Sequence, residues 1–187
     1  MPSIYPLMDI EPGSYRFGPE NATLAVRTGR TGAAAKAGHD LVIHVTSWEA
    51  TLRVGADPAQ SSVTLNADPS SLRVHQGSGG MQALGADDRA NIHKTIDGDV
   101  LRGKAIGYRS SEVRAGAGHL HVSGDLQLLD HSGPLSFQLS AGDDGQLGAS
   151  ATVRQSEWGI KPYSTLFGAL KVADEVEVIL TASLPRS

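Results

Sequence analysis

Apolar and polar residues alternate along many short stretches of this chain. In Trp48–Val54 every second residue is Trp, Ala, Leu or Val, and the residues between them are Glu, Thr and Arg. A period of two is typical of a strand with one buried face. In Leu41–Val45 the apolar face holds Leu41, Ile43 and Val45. Counted generously, such runs give eight to ten strands, so we predict an all-β protein built on one antiparallel barrel of about eight strands.

The run 119–129 has one irregularity in its alternation. Leu120, Val122, Leu126 and Leu128 share a face, and Gly124 interrupts it. A glycine inside a strand marks a bend or a place where another backbone or a ligand approaches closely. Gly124 is therefore expected to have such a role.

A single stretch shows the period of a helix. Ile92 and Ile96 lie four residues apart, Val100 continues the stripe, and Asp87 or Asp88 is suited to cap the first turn. We predict one short helix here, plugging or flanking the barrel. The chain shows no linker or repeat, so we expect an irregular leader over 1–13 and one domain over 14–187.

The segment 149–182 combines two strand-like runs with a loop that is unusually apolar. The large side chains of this loop are Trp158, Tyr163, Leu166, Phe167 and Leu170. Loops usually lie on the surface and are polar. We therefore expect this loop to bury itself in a core, against a partner or over the mouth of a cavity.

Composition narrows the function classes. The 187 residues contain no cysteine, which excludes disulfides, zinc–thiolate sites, iron–sulfur clusters and cysteine nucleophiles. The net charge is −4 and there is no basic block, which argues against nucleic-acid binding. No apolar run has the length of a membrane span, and residues 1–13 do not resemble a secretory signal, so a cytoplasmic location is expected if the sequence is complete.

Candidate chemistry is sparse. None of the sequence motifs of serine hydrolases, zinc proteases, nucleotide-binding loops or dinucleotide-binding folds is present. His119 and His121 fall on one strand face with Asp125 farther along, but two histidines favour a solvated outer face over a metal site.

His39 and Asp40 precede a strand. His39 is expected either to bond the polar head of a ligand or to tie the turn to neighbouring backbone, with Asp40 orienting it.

Three stretches resemble one known family. They are Ala37–Leu41, the segment 88–101 with Asp88-Arg89-Ala90-Asn91-Ile92-His93-Lys94, and the run RQSEWGIKPYSTLFGALKVADEVEV from Arg154 to Val178. Together with the run Val122–Leu128 they resemble the YceI-like family over nearly the whole chain. The resemblance implies a lipocalin-like barrel that holds a polyisoprenoid, an isoprenoid quinone or a similar lipid, with no cofactor and no catalytic residue.

The resulting first hypothesis is a carrier protein with a long apolar ligand in the barrel lumen. The residues expected to contact this ligand are His39, Leu41, Ile43, Leu126, Leu128, Phe137, Trp158, Ile160, Tyr163 and Phe167. One alternative is an interaction module that uses the loop 158–170 to form a homodimer or to meet a membrane. The other is an enzyme on a small lipophilic substrate, with His39 and Asp40 as its base.

Overall fold

The computed structural model describes residues 10–142, 144–165 and 170–184. Within these residues the strands are β1 (Gly13–Phe17), β2 (Ala22–Thr28), β3 (Arg30–Thr31), β4 (Asp40–Val45), β5 (Trp48–Val54), β6 (Ser62–Ala67), β7 (Leu72–Ser78), β8 (Ile106–Ala115), β9 (His119–Leu128), β10 (His131–Ala141), β11 (Gln146–Arg154), β12 (Ser164–Thr165), β13 (Leu170–Val172) and β14 (Glu175–Ser183). The helix is α1 (Ala86–Thr95), and none of the helical segments described here has the length and apolarity needed to cross a membrane.

Eleven of these strands form one strongly curled antiparallel sheet. Its order is β1-β5-β6-β8-β9-β10-β11-β14-β2-β4-β7, and β12, β13 and β3 make a separate small sheet. The predicted all-β antiparallel fold is confirmed, with more strands in the large sheet than the expected eight. The short strands β3 and β12 were not predicted, because two residues are too few to show an alternating pattern.

The helix lies where the sequence predicts it, but its first turn is capped differently. Gly85 is the N-cap residue, and the Asp88 carboxylate accepts a hydrogen bond from the Gly85 N–H at 3.0 Å. After Thr95 the backbone widens into a π-type turn over Ile96–Val100. Ile92, Ile96 and Val100 all face the interior of the curled sheet, as the stripe predicts.

Gly124 marks a close approach between two backbones rather than a ligand contact. It faces an irregularity in the β8–β9 register between Ser110 and Glu112. A Cβ built on Gly124 would lie 2.7 Å from the Ser110 Cα and 2.7 Å from the Tyr108 hydroxyl. A larger residue would therefore push β8 away from β9, which explains the glycine in an otherwise apolar face.

Candidate functional site: an apolar cavity inside the curled sheet

The concave face of the sheet and the inner face of α1 enclose a cavity of about 860 Å³. The side chains that line it come from alternate positions of the strands, such as Leu24 and Val26 on β2. On β14 the lining residues are Val176, Val178 and Leu180, the three that the alternating pattern places on one face. The lining is predominantly Leu, Val, Ile and Ala, so the walls of the cavity offer apolar contact to a long apolar molecule.

Most of the residues expected to contact a ligand line this cavity. They are His39, Leu41, Ile43, Leu126, Leu128, Phe137, Ile160 and Tyr163. Phe167 lies outside the described residues. The structure thus brings together side chains from four separated parts of the sequence, which is what a site inside the curled sheet requires.

Trp158 does not line the cavity. Its side chain is 3% exposed, and the indole N–H donates a hydrogen bond to the Leu126 carbonyl oxygen at 2.9 Å. Gly133 faces the ring, and a Cβ there would lie 3.3 Å from the indole Cζ2. Trp158 therefore holds the segment after β11 against β9 and β10, which is a packing role.

Two polar side chains of the lining form hydrogen bonds with the protein itself. Tyr108 donates its hydroxyl hydrogen to the Leu135 carbonyl at 3.0 Å, and Gln155 donates from Nε2 to the Ala173 carbonyl at 3.0 Å. Burial, with a smaller contribution from the Asp125 carboxylate, raises the pKa of Tyr108 to about 12. Tyr108 therefore stays neutral at physiological pH, and these two groups leave the interior apolar.

His39 lies at one edge of the cavity and joins two segments. Its Nε2 is 2.7 Å from the carbonyl oxygen of Gln82, and because a carbonyl only accepts, this nitrogen carries the hydrogen. Asp40 does not orient His39 as expected, since its carboxylate pairs with Arg30 at 3.5 Å from Nε to Oδ1. The His39–Asp40 base of the enzyme alternative is therefore not assembled in this structure.

Sequence reasoning missed several residues at this edge. Arg30 donates to the Gly38 carbonyl and lines the cavity together with Met81, Gln82 and Leu84. These residues come from the Gly-rich segments 29–38 and 76–85, which contain none of the predicted ligand contacts. Met81 and Leu84 were the available signal, because large apolar side chains in a polar, Gly-rich loop are expected to pack against another part of the protein or against a ligand.

The histidines on β9 do not build a metal site with their neighbours. His119 contacts the Ala117 carbonyl at 3.0 Å from Nδ1. Across the part of the chain that the structure describes, no group of three or more His, Asp or Glu side chains is arranged to hold a metal ion.

Comparison with known proteins shows that other proteins of known structure share this fold. The solved structures similar to it include the following two. BcnA of Burkholderia cenocepacia has a TM-score of 0.63 at 14% identity, covering 88% of this chain and 96% of that one. A YceI protein of Campylobacter jejuni has a TM-score of 0.53 at 10% identity, covering 78% and 84%. No curated protein matches the sequence. Residues 15–184 match the family model described as a YceI-like domain, and the chain therefore belongs to the YceI-like family.

Proposed function

We propose that this protein is a non-catalytic carrier that holds a long apolar chain, such as a polyisoprenoid or an isoprenoid quinone, inside the curled sheet. The observation that supports this proposal most strongly is the cavity of about 860 Å³ with its apolar lining. Ligand pockets in proteins have volumes of about 300 to 1,000 Å³, so this one is near the upper end.

The size of the cavity suits a chain of several isoprene units. A dry apolar cavity of roughly 150 Å³ accepts one benzene ring, so a cavity about six times larger has room for roughly thirty carbon atoms. Thirty carbons correspond to about six units of five carbons each. Such a chain would contact several strands at once.

Burial alone provides enough free energy for binding. Each CH₂ group contributes roughly 0.8 kcal/mol, so one isoprene unit contributes up to about 4 kcal/mol. Micromolar affinity needs about 8 kcal/mol net, and association itself costs at least about 4 kcal/mol. Three or four buried units are therefore sufficient, and the binding needs few polar contacts. The head group would remain near His39 and Tyr163 at the edge of the cavity.

The proposal is tested by filling the cavity from one side. Ala149 lies on β11, lines the cavity and pairs with Leu139 and Leu180. Ala149→Phe places a ring in the space that the chain would occupy. Thr152→Phe is the matched control, because Thr152 is exposed on the same strand and does not line the cavity.

Both variants are titrated with tritiated geranylgeraniol added from ethanol, and the bound label is counted after desalting. We expect Ala149→Phe to weaken uptake at least tenfold with an unchanged far-UV CD spectrum, and Thr152→Phe to bind like the parent. Equal uptake by the two variants would show that the chain does not occupy this cavity.

A further inference from the structure

One edge of the cavity is formed by a continuous set of segments, called here the mouth rim. Its members are Arg30, Gly38, His39, Met81, Gln82, Tyr163 and Lys171. Val172 N–H donates to the Tyr163 carbonyl at 2.9 Å, and Lys171 pairs with Thr31 across β13 and β3. Arg30 then bonds Gly38, and His39 contacts Gln82, the chain neighbour of Met81. Hydrogen bonds and chain connectivity together therefore link the rim from Tyr163 to Gln82.

The mouth rim carries the exposed large apolar side chains of the described residues. Met81 is 82% exposed and Tyr163 is 47% exposed, and both also line the cavity. Single exposed apolar residues are common on protein surfaces. Here both lie where the cavity reaches the surface. A flexible Met and an amphipathic Tyr suit the boundary between lipid headgroups and acyl chains.

Cations lie beside these apolar side chains, although the protein as a whole is negative. Lys171 is exposed on the rim, and Lys36 is exposed in the turn Ala35–Ala37 that packs against β13. Neither lysine forms an ion pair with a described residue, whereas Arg30 is paired with Asp40. The net charge of the chain is −4, so two unpaired lysines at this edge depart from the average charge of the surface.

We propose that the mouth rim docks on the surface of an anionic lipid bilayer. Met81 and Tyr163 would enter the headgroup layer, and Lys36 and Lys171 would attract the lipid phosphates. This inference rests on the proposed function, because a long isoprenoid chain is apolar and partitions from water into the acyl layer of a bilayer. With the rim on the bilayer, the isoprenoid chain would pass from the acyl layer into the cavity without crossing water.

The test is cosedimentation of the protein with vesicles of phosphatidylcholine, with and without phosphatidylglycerol. The parent protein is expected to bind the anionic vesicles and to release them at high salt, since each lysine near such a surface strengthens binding about fivefold. Met81→Ser with Tyr163→Ser, and separately Lys36→Glu with Lys171→Glu, should each weaken binding at least tenfold. Arg53→Glu with Arg109→Glu is the matched control, because both arginines are exposed on strands and do not line the cavity.

Several results would overturn the docking surface. They are absence of vesicle binding by the parent, equal binding to neutral and anionic vesicles, and equal weakening by the control pair. Dissociation of a parent dimer by Tyr163→Ser, measured by sedimentation velocity, would instead assign the rim to a second copy of the chain. Uptake of geranylgeraniol from ethanol, without vesicles, tests the carrier function separately, so failure of one proposal is distinguishable from failure of the other.

Discussion

Two groups of buried side chains share the same strands but differ in what surrounds them. Leu120 on β9 is 5% exposed and does not line the cavity, whereas Leu139, its register partner on β10, is 4% exposed and does line it. Two positions farther along, Val122 is fully buried and does not line the cavity, whereas its register partner Phe137 is partly buried and borders the cavity. Low solvent exposure therefore does not distinguish a side chain packed on all sides from one beside a cavity.

The difference has an energetic consequence that follows from contact number. A buried leucine gains its dispersion energy from many neighbouring atoms, and a side chain that faces a gap lacks part of that gain. A region lined by such side chains is less stable for the same apolar area. This is the expected condition of a site that completes its packing with a ligand.

The largest expected contrast comes from truncating the two paired leucines. We predict that Leu120→Ala lowers the free energy of unfolding by about 4 kcal/mol, whereas Leu139→Ala lowers it by about 2 to 3 kcal/mol. The smaller loss follows because the Leu139 side chain already borders open space. Urea denaturation of both variants, freed of lipid by unfolding and refolding, measures the two values.

The chemistry, strand pair and exposure of the two leucines are matched, so each variant is the control for the other. Equal losses would mean that Leu139 is as tightly packed as Leu120. The division of the interior into a packed part and a cavity would then be wrong.

The sequence predicted the inward faces well. The strand β5 has the predicted bounds Trp48–Val54, and Leu41, Ile43 and Val45 share the cavity face of β4. Alternation specifies which side of a strand is buried because it depends on the backbone of one strand. The helix stripe Ile92–Ile96 was predicted for a similar reason, since its period is also local.

The parts that were not predicted depend on distant contacts. Trp158 was grouped with the cavity because it is aromatic and lies in an apolar loop, yet its indole packs on Gly133 and bonds Leu126. The mouth rim needs Arg30, His39 and Gln82 to meet from three segments. Contacts between distant segments leave no periodic pattern in the sequence. A pattern of apolar residues also does not show whether the space that these residues face is filled by other side chains.

A smaller effect is expected from Tyr108, which borders the cavity and contacts Phe137 with ring centroids 5.4 Å apart. Its pKa is raised from 10.0 to about 12, because burial and then Asp125 disfavour the phenolate. Between these two values the unfolded chain has lost the proton that the folded chain keeps. The contribution of Tyr108 to the free energy of unfolding is therefore complete below pH 10 and declines as the pH rises toward 12.

Urea denaturation at several alkaline pH values, compared between the parent and Tyr108→Phe, measures this dependence. The parent should lose stability more steeply with pH than the variant. Identical slopes would mean that the Tyr108 hydroxyl is more hydrated than its buried contact with Leu135 implies. Water would then enter the cavity as far as Tyr108.

The central claim is that the cavity holds a long apolar chain. Native mass spectrometry of the freshly purified protein, followed by organic extraction and lipid analysis, tests it most directly. The account predicts one bound lipid per chain, with a carbon skeleton of several isoprene units, that is absent from Ala149→Phe. A parent protein that carries no lipid, and that takes up neither isoprenoid quinones nor polyprenyl phosphates on titration, would contradict it.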